Sequence, residues 1–231
     1  MIMKPILLLH GALGSKSQFG EISEILSKKY EVHTFDFTGH GGNPLSETQF
    51  TIETFVQDIS AYMQVNGLEG ADIFGYSMGG YAALYASAAG MINAGRIFTL
   101  ATKFDWNEDT AAREAKMLDA DKIRQKVPAF AEELAARHGS GKWESLLGMT
   151  RGMMFELGRN NLLNTEVLTG IKNEVLVSIG DRDKMVSLEE TIAAYRALKN
   201  SSLLVIPGTE HPVEKVDARR LSREIRNFFG E

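Results

Sequence analysis

The sequence predicts an α/β protein: a mostly parallel, six-stranded sheet flanked by helices, with a helical segment inserted ahead of the last two strands. Three observations carry this expectation. Short apolar runs alternate with helical patterns. One run passes through Gly75-Tyr76-Ser77-Met78-Gly79 directly into a stretch of small residues. From about Phe104 to Gly170 there are helical patterns and no convincing strand.

The strand candidates are Ile6–His10, Val32–Phe37, Ala71–Tyr76, Arg96–Ala101, Glu174–Ile179 and Ser202–Ile206. Most are continuously apolar, which suits strands covered on both faces. Helical spacing separates them: Thr51–Asn66 places Ile52, Phe55, Val56, Ile59 and Met63 on one face, and Met78–Ala89 and Leu188–Leu198 follow later strands. Strand and helix alternating in this way predict parallel pairing. The last stretch, Val213–Phe229, has Val216, Leu221, Ile225, Phe228 and Phe229 at roughly helical spacing and is expected to dock on the sheet, ending at Gly230. Inside the strandless region, Asp109–Lys126 and Ala129–His138 read as helices. The expected division is a core of residues 1–103 and 171–231 with a helical insertion over 104–170.

Composition narrows the function. The 231 residues suffice for one domain with a sizeable core, and 44% hydrophobic with 24% charged residues is ordinary for a globular chain. A net charge of −5, with 25 scattered Lys and Arg, gives no footprint for nucleic acid. Ile6–Leu9 is too short for a signal core or a membrane span, so a cytoplasmic protein without membrane partners is expected. Cysteine is absent, which removes disulfides, thiolate metal sites and a cysteine nucleophile together. The chemistry falls to Ser, Asp and His.

In Gly75-Tyr76-Ser77-Met78-Gly79-Gly80 a strand turns sharply into a helix, the arrangement of a nucleophile elbow. The turn puts its serine in a strained conformation that neighbouring glycines tolerate, and aims the free N–H groups of the helix, led by Met78, at negative charge forming beside Ser77. A serine hydroxyl needs a base, and the base an orienting acid. Of the five histidines, His10 and His40 sit against glycines at strand ends as turn-stabilising residues, His33 lies in a strand as a core residue, and His138 closes a helical stretch. His211 follows the last strand, at the carboxyl edge where parallel sheets gather reactive groups, and is the base candidate. The preceding strand runs into Gly180-Asp181-Arg182-Asp183, which offers Asp181 and Asp183 as acids. Two other patterns fail. Gly11–Ser17 lacks the glycine spacing of a phosphate-binding loop, and Gly75-Tyr76-Ser77 does not match Gly-x-Gly-x-x-Gly.

The order Ser, Asp, His, together with His10-Gly11-Ala12-Leu13-Gly14 and Asp36-Phe37-Thr38-Gly39-His40-Gly41, resembles the α/β-hydrolase family over nearly the whole length. The resemblance implies the α/β-hydrolase fold with residues 104–170 as a cap over the site, and it selects Asp183, the last residue of a Gly-x-x-Asp loop. It implies an oxyanion hole from the backbone N–H groups of Ala12 and Met78, with Leu13 a weaker donor. Only Met1–Lys4 precede the first strand, where the family commonly begins with an antiparallel hairpin, so a trimmed core of six parallel strands is expected.

The expected activity is hydrolysis of a carboxylic ester or related acyl compound through an acyl-enzyme, with no metal or organic cofactor. Alternatives on the same scaffold are carbon–carbon bond hydrolysis, a lyase reaction like that of the SHCHC synthases, or ligand binding without catalysis. The lyase branch carries arginine where this chain has Tyr81. Expected pocket residues are Leu13, Tyr81, Met149, Met153, Met154 and Phe155, apolar walls for a small-molecule substrate with a modest apolar acyl group. Lys103, Arg151 and Arg159 are alternative carboxylate clamps. Nothing in the sequence separates a monomer from a homodimer.

Overall fold

A computed structural model of the chain describes residues 3–45 and 50–230; the expected core limits at 1, 2 and 231 lie outside them. Six parallel strands form one sheet: β1 (Lys4–Leu9), β2 (Tyr30–Thr34), β3 (Asp72–Tyr76), β4 (Ile97–Leu100), β5 (Val175–Gly180) and β6 (Ser201–Ile206), in the order β2-β1-β3-β4-β5-β6. Parallel pairing throughout brings the carboxyl ends of all six strands to one edge.

The apolar runs are continuous because both faces of the sheet are covered. Alternation along β1 sends Ile6 and Leu8 into one core layer and Leu7 and Leu9 into the other, and all four are fully buried. Complete burial of each contributes about 2 kcal/mol. The Ile6 layer is closed by α1 (Gly20–Leu26) and α10 (Ala218–Phe229), through Ile22, Leu26, Leu221, Ile225 and Phe229. On the other face lie α2 (Ile52–Asn66) and α3 (Met78–Ala88). Helix α2 starts where Thr51 accepts a hydrogen bond from the Thr54 N–H and stops at Gly67 in the left-handed conformation.

Between β4 and β5 the chain forms only helices: α4 (Glu108–Ala115), α5 (Ala120–Lys126), α6 (Pro128–His138), α7 (Trp143–Arg159) and α8 (Thr165–Gly170). The single helix expected over Asp109–Lys126 is two. Asp119 accepts a hydrogen bond from the Lys122 N–H at 3.0 Å and caps a new helix, so the first ends at Ala115. Helix α9 (Leu188–Ala197) begins at a capping box of Ser187 and Glu190. The Glu190 carboxylate also accepts hydrogen bonds from the N–H groups of Phe104 at 3.0 Å and Asp105 at 3.3 Å, which holds the root of the inserted helices to α9.

Strand β2 differs from the expected Val32–Phe37. It pairs only with β1, from Lys4 with Tyr30 to Leu8 with Thr34. Beyond Thr34 the chain is unpaired in the sheet, although β1 continues to Leu9 beside Gly75 of β3, and Phe35 and Phe37 join an aromatic cluster with Phe55 and Tyr62. The final stretch divides into a 3-10 turn (Val213–Lys215) and α10, which is capped by Asp217.

Helix α7, seventeen residues with three glycines, packs against α4. A methyl group on Gly158 would meet the Ala111 Cβ at 2.6 Å and the Asn107 carbonyl at 2.9 Å, whereas Gly152 has open space around it. Gly152→Ala should therefore stabilise the protein by about 0.5–1 kcal/mol through helix propensity. Gly158→Ala should destabilise it by about 1–2 kcal/mol, because overpacking outweighs the same gain. Urea midpoints of the two variants check the opposite signs.

Candidate active site

Ser77 joins β3 to α3 with φ +51° and ψ −116°, in the left-handed half of backbone space that side chains resist. Neighbouring glycines permit the turn: a Cβ on Gly79 would stand 2.4 Å from the Leu9 carbonyl oxygen, and one on Gly75 2.5 Å from the Gly80 Cα. Ser77 occupies the N-cap position of α3, yet its hydroxyl makes no capping bond. The Met78 N–H, first in the helix, has no carbonyl one turn back to bond.

Asp183 and His211 lie in the loops after β5 and β6. The His211 Nδ1–H donates to Asp183 Oδ2 at 2.7 Å, and Asp183 Oδ1 accepts the N–H groups of Met185 at 2.8 Å and Val186 at 2.9 Å. Three donors converge on a carboxylate with 1% side-chain exposure, and with Nδ1–H given to it Nε2 is left as the imidazole nitrogen with a free lone pair. Asp181 does different work. Its Oδ1 accepts the Gly208 and Thr209 N–H groups at 2.6 and 3.2 Å and shapes the turn that leads to His211.

Ser77 and His211 line one cavity of about 360 Å³, and no hydrogen bond joins the serine hydroxyl to the imidazole. Such bonds are often open in an empty site and tighten around substrate. Ala12, Leu13, Met78, Tyr81, Met153 and Met154 also line the cavity. Met149 and Phe155 do not: the helical period of α7 turns Phe155 outward, 37% exposed, while Met149, one turn before Met153, packs on the core. The Tyr81 hydroxyl donates to Asn161 Oδ1 at 2.7 Å and accepts the Leu163 N–H at 2.9 Å. Of the possible clamps, Lys103 borders the cavity and is paired with Glu190 at 3.4 Å, while Arg151 and Arg159 are exposed. Among the described residues no group of three or more His, Asp or Glu side chains is placed to hold a metal ion, and no helix is long and apolar enough to cross a membrane.

Three other histidines connect two turns beside this cavity. The His10 Nδ1–H donates to the Gly11 carbonyl at 2.8 Å while Nε2 accepts the Phe37 N–H at 3.1 Å. The His40 Nδ1–H donates to the Thr38 carbonyl at 3.1 Å and Nε2 accepts the Leu13 N–H at 3.3 Å. The His138 Nε2–H donates to the Leu13 carbonyl at 2.9 Å and Nδ1 accepts the Gly41 N–H at 3.0 Å. Every ring is both donor and acceptor, which only neutral imidazole provides. Burial holds His10 down to about 4, His40 well below its ordinary value and His138 below it. Sequence reading placed His10 and His40 at turns, but no local signal marked His138, which the insertion delivers from 125 residues away. His33, expected in the core, bonds Glu31 on the edge strand.

A family model described as alpha/beta hydrolase fold matches residues 4–138. A Synechocystis sp. protein provisionally named a non-heme chloroperoxidase is 23% identical over 98% of this chain and 91% of that one. Of seven other curated relatives, the chain spans only 20–32% of the length. Among solved structures, a 2-hydroxy-6-oxo-6-phenylhexa-2,4-dienoate hydrolase from Rhodococcus sp. strain RHA1 superposes with a TM-score of 0.78 at 19% identity, covering 98% of this chain and 90% of that one. A thermophilic esterase from Thermogutta terrifontis gives 0.72 at 22% identity, covering 99% and 90%.

The neutral histidines make stability depend on pH. As pH falls below about 6.5 the unfolded chain takes up protons that the folded rings refuse, so stability should fall. The expected slope reaches about 1.4 kcal/mol per pH unit for each ring until its own folded value is passed, near 4 for His10. Urea midpoints from pH 7 to 5, above most carboxylate titrations, measure it. With the elbow, the acid and histidine loops and the parallel sheet in place, the chain belongs to the α/β-hydrolase fold family.

Proposed function

We propose that the protein is a serine hydrolase acting on a carboxylic ester or related acyl compound through a Ser77-His211-Asp183 triad. The observation that carries this reading is the 2.7 Å Asp183–His211 bond at the cavity that also receives the strained Ser77. Ser77 Oγ attacks the carbonyl carbon as His211 Nε2 takes its proton. Asp183 holds the imidazole in the tautomer that accepts there and stabilises the imidazolium. The carbonyl π pair becomes an oxyanion received by the Ala12 and Met78 N–H groups. The Leu13 N–H is committed to His40, which leaves Ala12 as the donor from that turn. His211 then protonates the leaving group, and water repeats the sequence on the acyl-enzyme.

Met153, Met154, Leu157, Trp106, Val127 and Phe130 give the cavity a largely apolar wall, which supports an apolar acyl group. The inserted helices supply these residues and in this reading act as the cap over the site. Hydrolysis of p-nitrophenyl esters from acetate to dodecanoate, alongside fluorophosphonate labelling, tests the proposal. Ser77→Ala should lose about three to six orders of magnitude in rate and all labelling. Labelling of Ser77 without hydrolysis of any ester would redirect the reading to carbon–carbon bond substrates, and an unlabelled wild type would overturn it. The two carboxylates should separate sharply: Asp183→Asn should lower kcat about 10³–10⁴-fold, and Asp181→Asn less than about tenfold, since it removes a turn contact only.

A further inference from the structure

The Gly11–Gly14 turn is held at the carbonyls of Gly11 and Leu13 and at the N–H groups of Leu13 and Gly14. The Gly11 carbonyl accepts from His10 and from the Gly14 N–H at 3.1 Å, and the Leu13 N–H is taken by His40. The Leu13 carbonyl receives both the His138 ring and Arg137 Nη1, each at 2.9 Å. Leu13 itself has φ +59°, a conformation a branched side chain keeps only when its surroundings enforce it. The Ala12 N–H, in this turn and beside the cavity, has no protein acceptor. Two of the three rings belong to the turns they join. His138 does not: it is 4% exposed at the end of α6, within the helical insertion. Lys142, just beyond, donates to the Gly41 carbonyl at 2.9 Å and reinforces the same junction.

We propose that His138 is a positioning residue for the oxyanion: from the insertion it fixes the Leu13 carbonyl and the Gly41 amide together, and so sets the direction of the Ala12 N–H. The inserted helices then do more than wall the cavity, because part of the transition-state machinery is in register only while α6 is docked. His138 touches no substrate and acts through the Leu13 peptide. The inference rests on the serine-hydrolase reading, with Ala12 as an oxyanion donor.

The test compares His138→Asn with His138→Gln. Asparagine reaches the Gly41 amide but is too short for the Leu13 carbonyl; glutamine spans both with an acceptor and a donor. Three quantities are read: kcat, KM, and inhibition by an alkyl trifluoromethyl ketone, to which Ser77 adds as His211 takes its proton, placing an alkoxide in the oxyanion site. For His138→Asn the expected result is a fall in kcat of about 10–100-fold with KM within about threefold. The trifluoromethyl ketone Ki should rise by the same factor as kcat/KM falls, and His138→Gln should recover most of both. A lowered melting temperature with unchanged kcat and Ki would overturn the inference, leaving His138 a structural contact. If His138→Asn does not fold, Arg137→Met, which removes the other donor to the Leu13 carbonyl, decides: a smaller parallel change in kcat and Ki supports the inference and no change overturns it. Fluorophosphonate labelling of wild type separates the two levels, since an unlabelled Ser77 would overturn the hydrolase reading itself and the inference with it.

Discussion

The contact on which the site depends is the approach of the first turn of α3 to the ends of β1 and β3. At Gly79 the helix backbone passes so near the Leu9 and His10 carbonyls that a single methyl group would stand 2.4 Å from oxygen, and Gly75 and Gly80 touch backbone to backbone. Packing this close lets the chain reverse from strand to helix within one residue. Ser77 then absorbs the geometry as a positive φ, at a cost of about 1–3 kcal/mol that the buried sheet behind it sustains. Leu13 and Ala101, the other non-glycine residues with positive φ among those described, also follow strand ends at this edge. Strain in this fold is concentrated where the chain turns out of the sheet beside the cavity.

The parallel register turns that local geometry into a site. Because all six strands point the same way, the loops after β1, β3, β5 and β6 emerge at one edge of the sheet. Asp181 and Asp183, two residues apart, are then sorted by what each loop needs. One carboxylate ties the turn of the histidine loop, and the other meets the imidazole.

Much of this was legible in the residues. Continuous apolar runs gave the strands, since burial on both faces leaves no room for alternation, and the elbow was readable because its glycines answer a steric demand local to the motif. Edges were less legible: Val32–Phe37 has the composition of a longer strand, but its pairing with β1 ends at Thr34 and its last aromatic residues go to a cluster with Phe55 and Tyr62. Helix α7 carries an apolar face in Trp143, Leu146, Leu147, Thr150, Met153, Met154 and Leu157, a signal masked by three glycines of which Gly158 is required for close packing on α4. Near the cavity, Met149 and Phe155 looked equivalent to Met153 and Met154; helical phase turns Phe155 outward, and Met149, one turn before Met153, is taken up by the core. His138 had no local signature, because its partners are backbone groups of turns about a hundred residues away.

Glu190 shows how a local motif acquires a distant duty. In sequence, Ser187-x-x-Glu190 is an ordinary helix start, whose loss an isolated-helix argument would value at about 1 kcal/mol. In the folded chain the same carboxylate receives the Phe104 and Asp105 amides and pairs with Lys103, where the polypeptide leaves β4 for the inserted helices. One side chain is therefore both the beginning of α9 and the hinge pin of a segment more than sixty residues long. Energies assigned to the two elements separately will not add, and a substitution at Glu190 that weakens the start of α9 also loosens the root of the inserted helices.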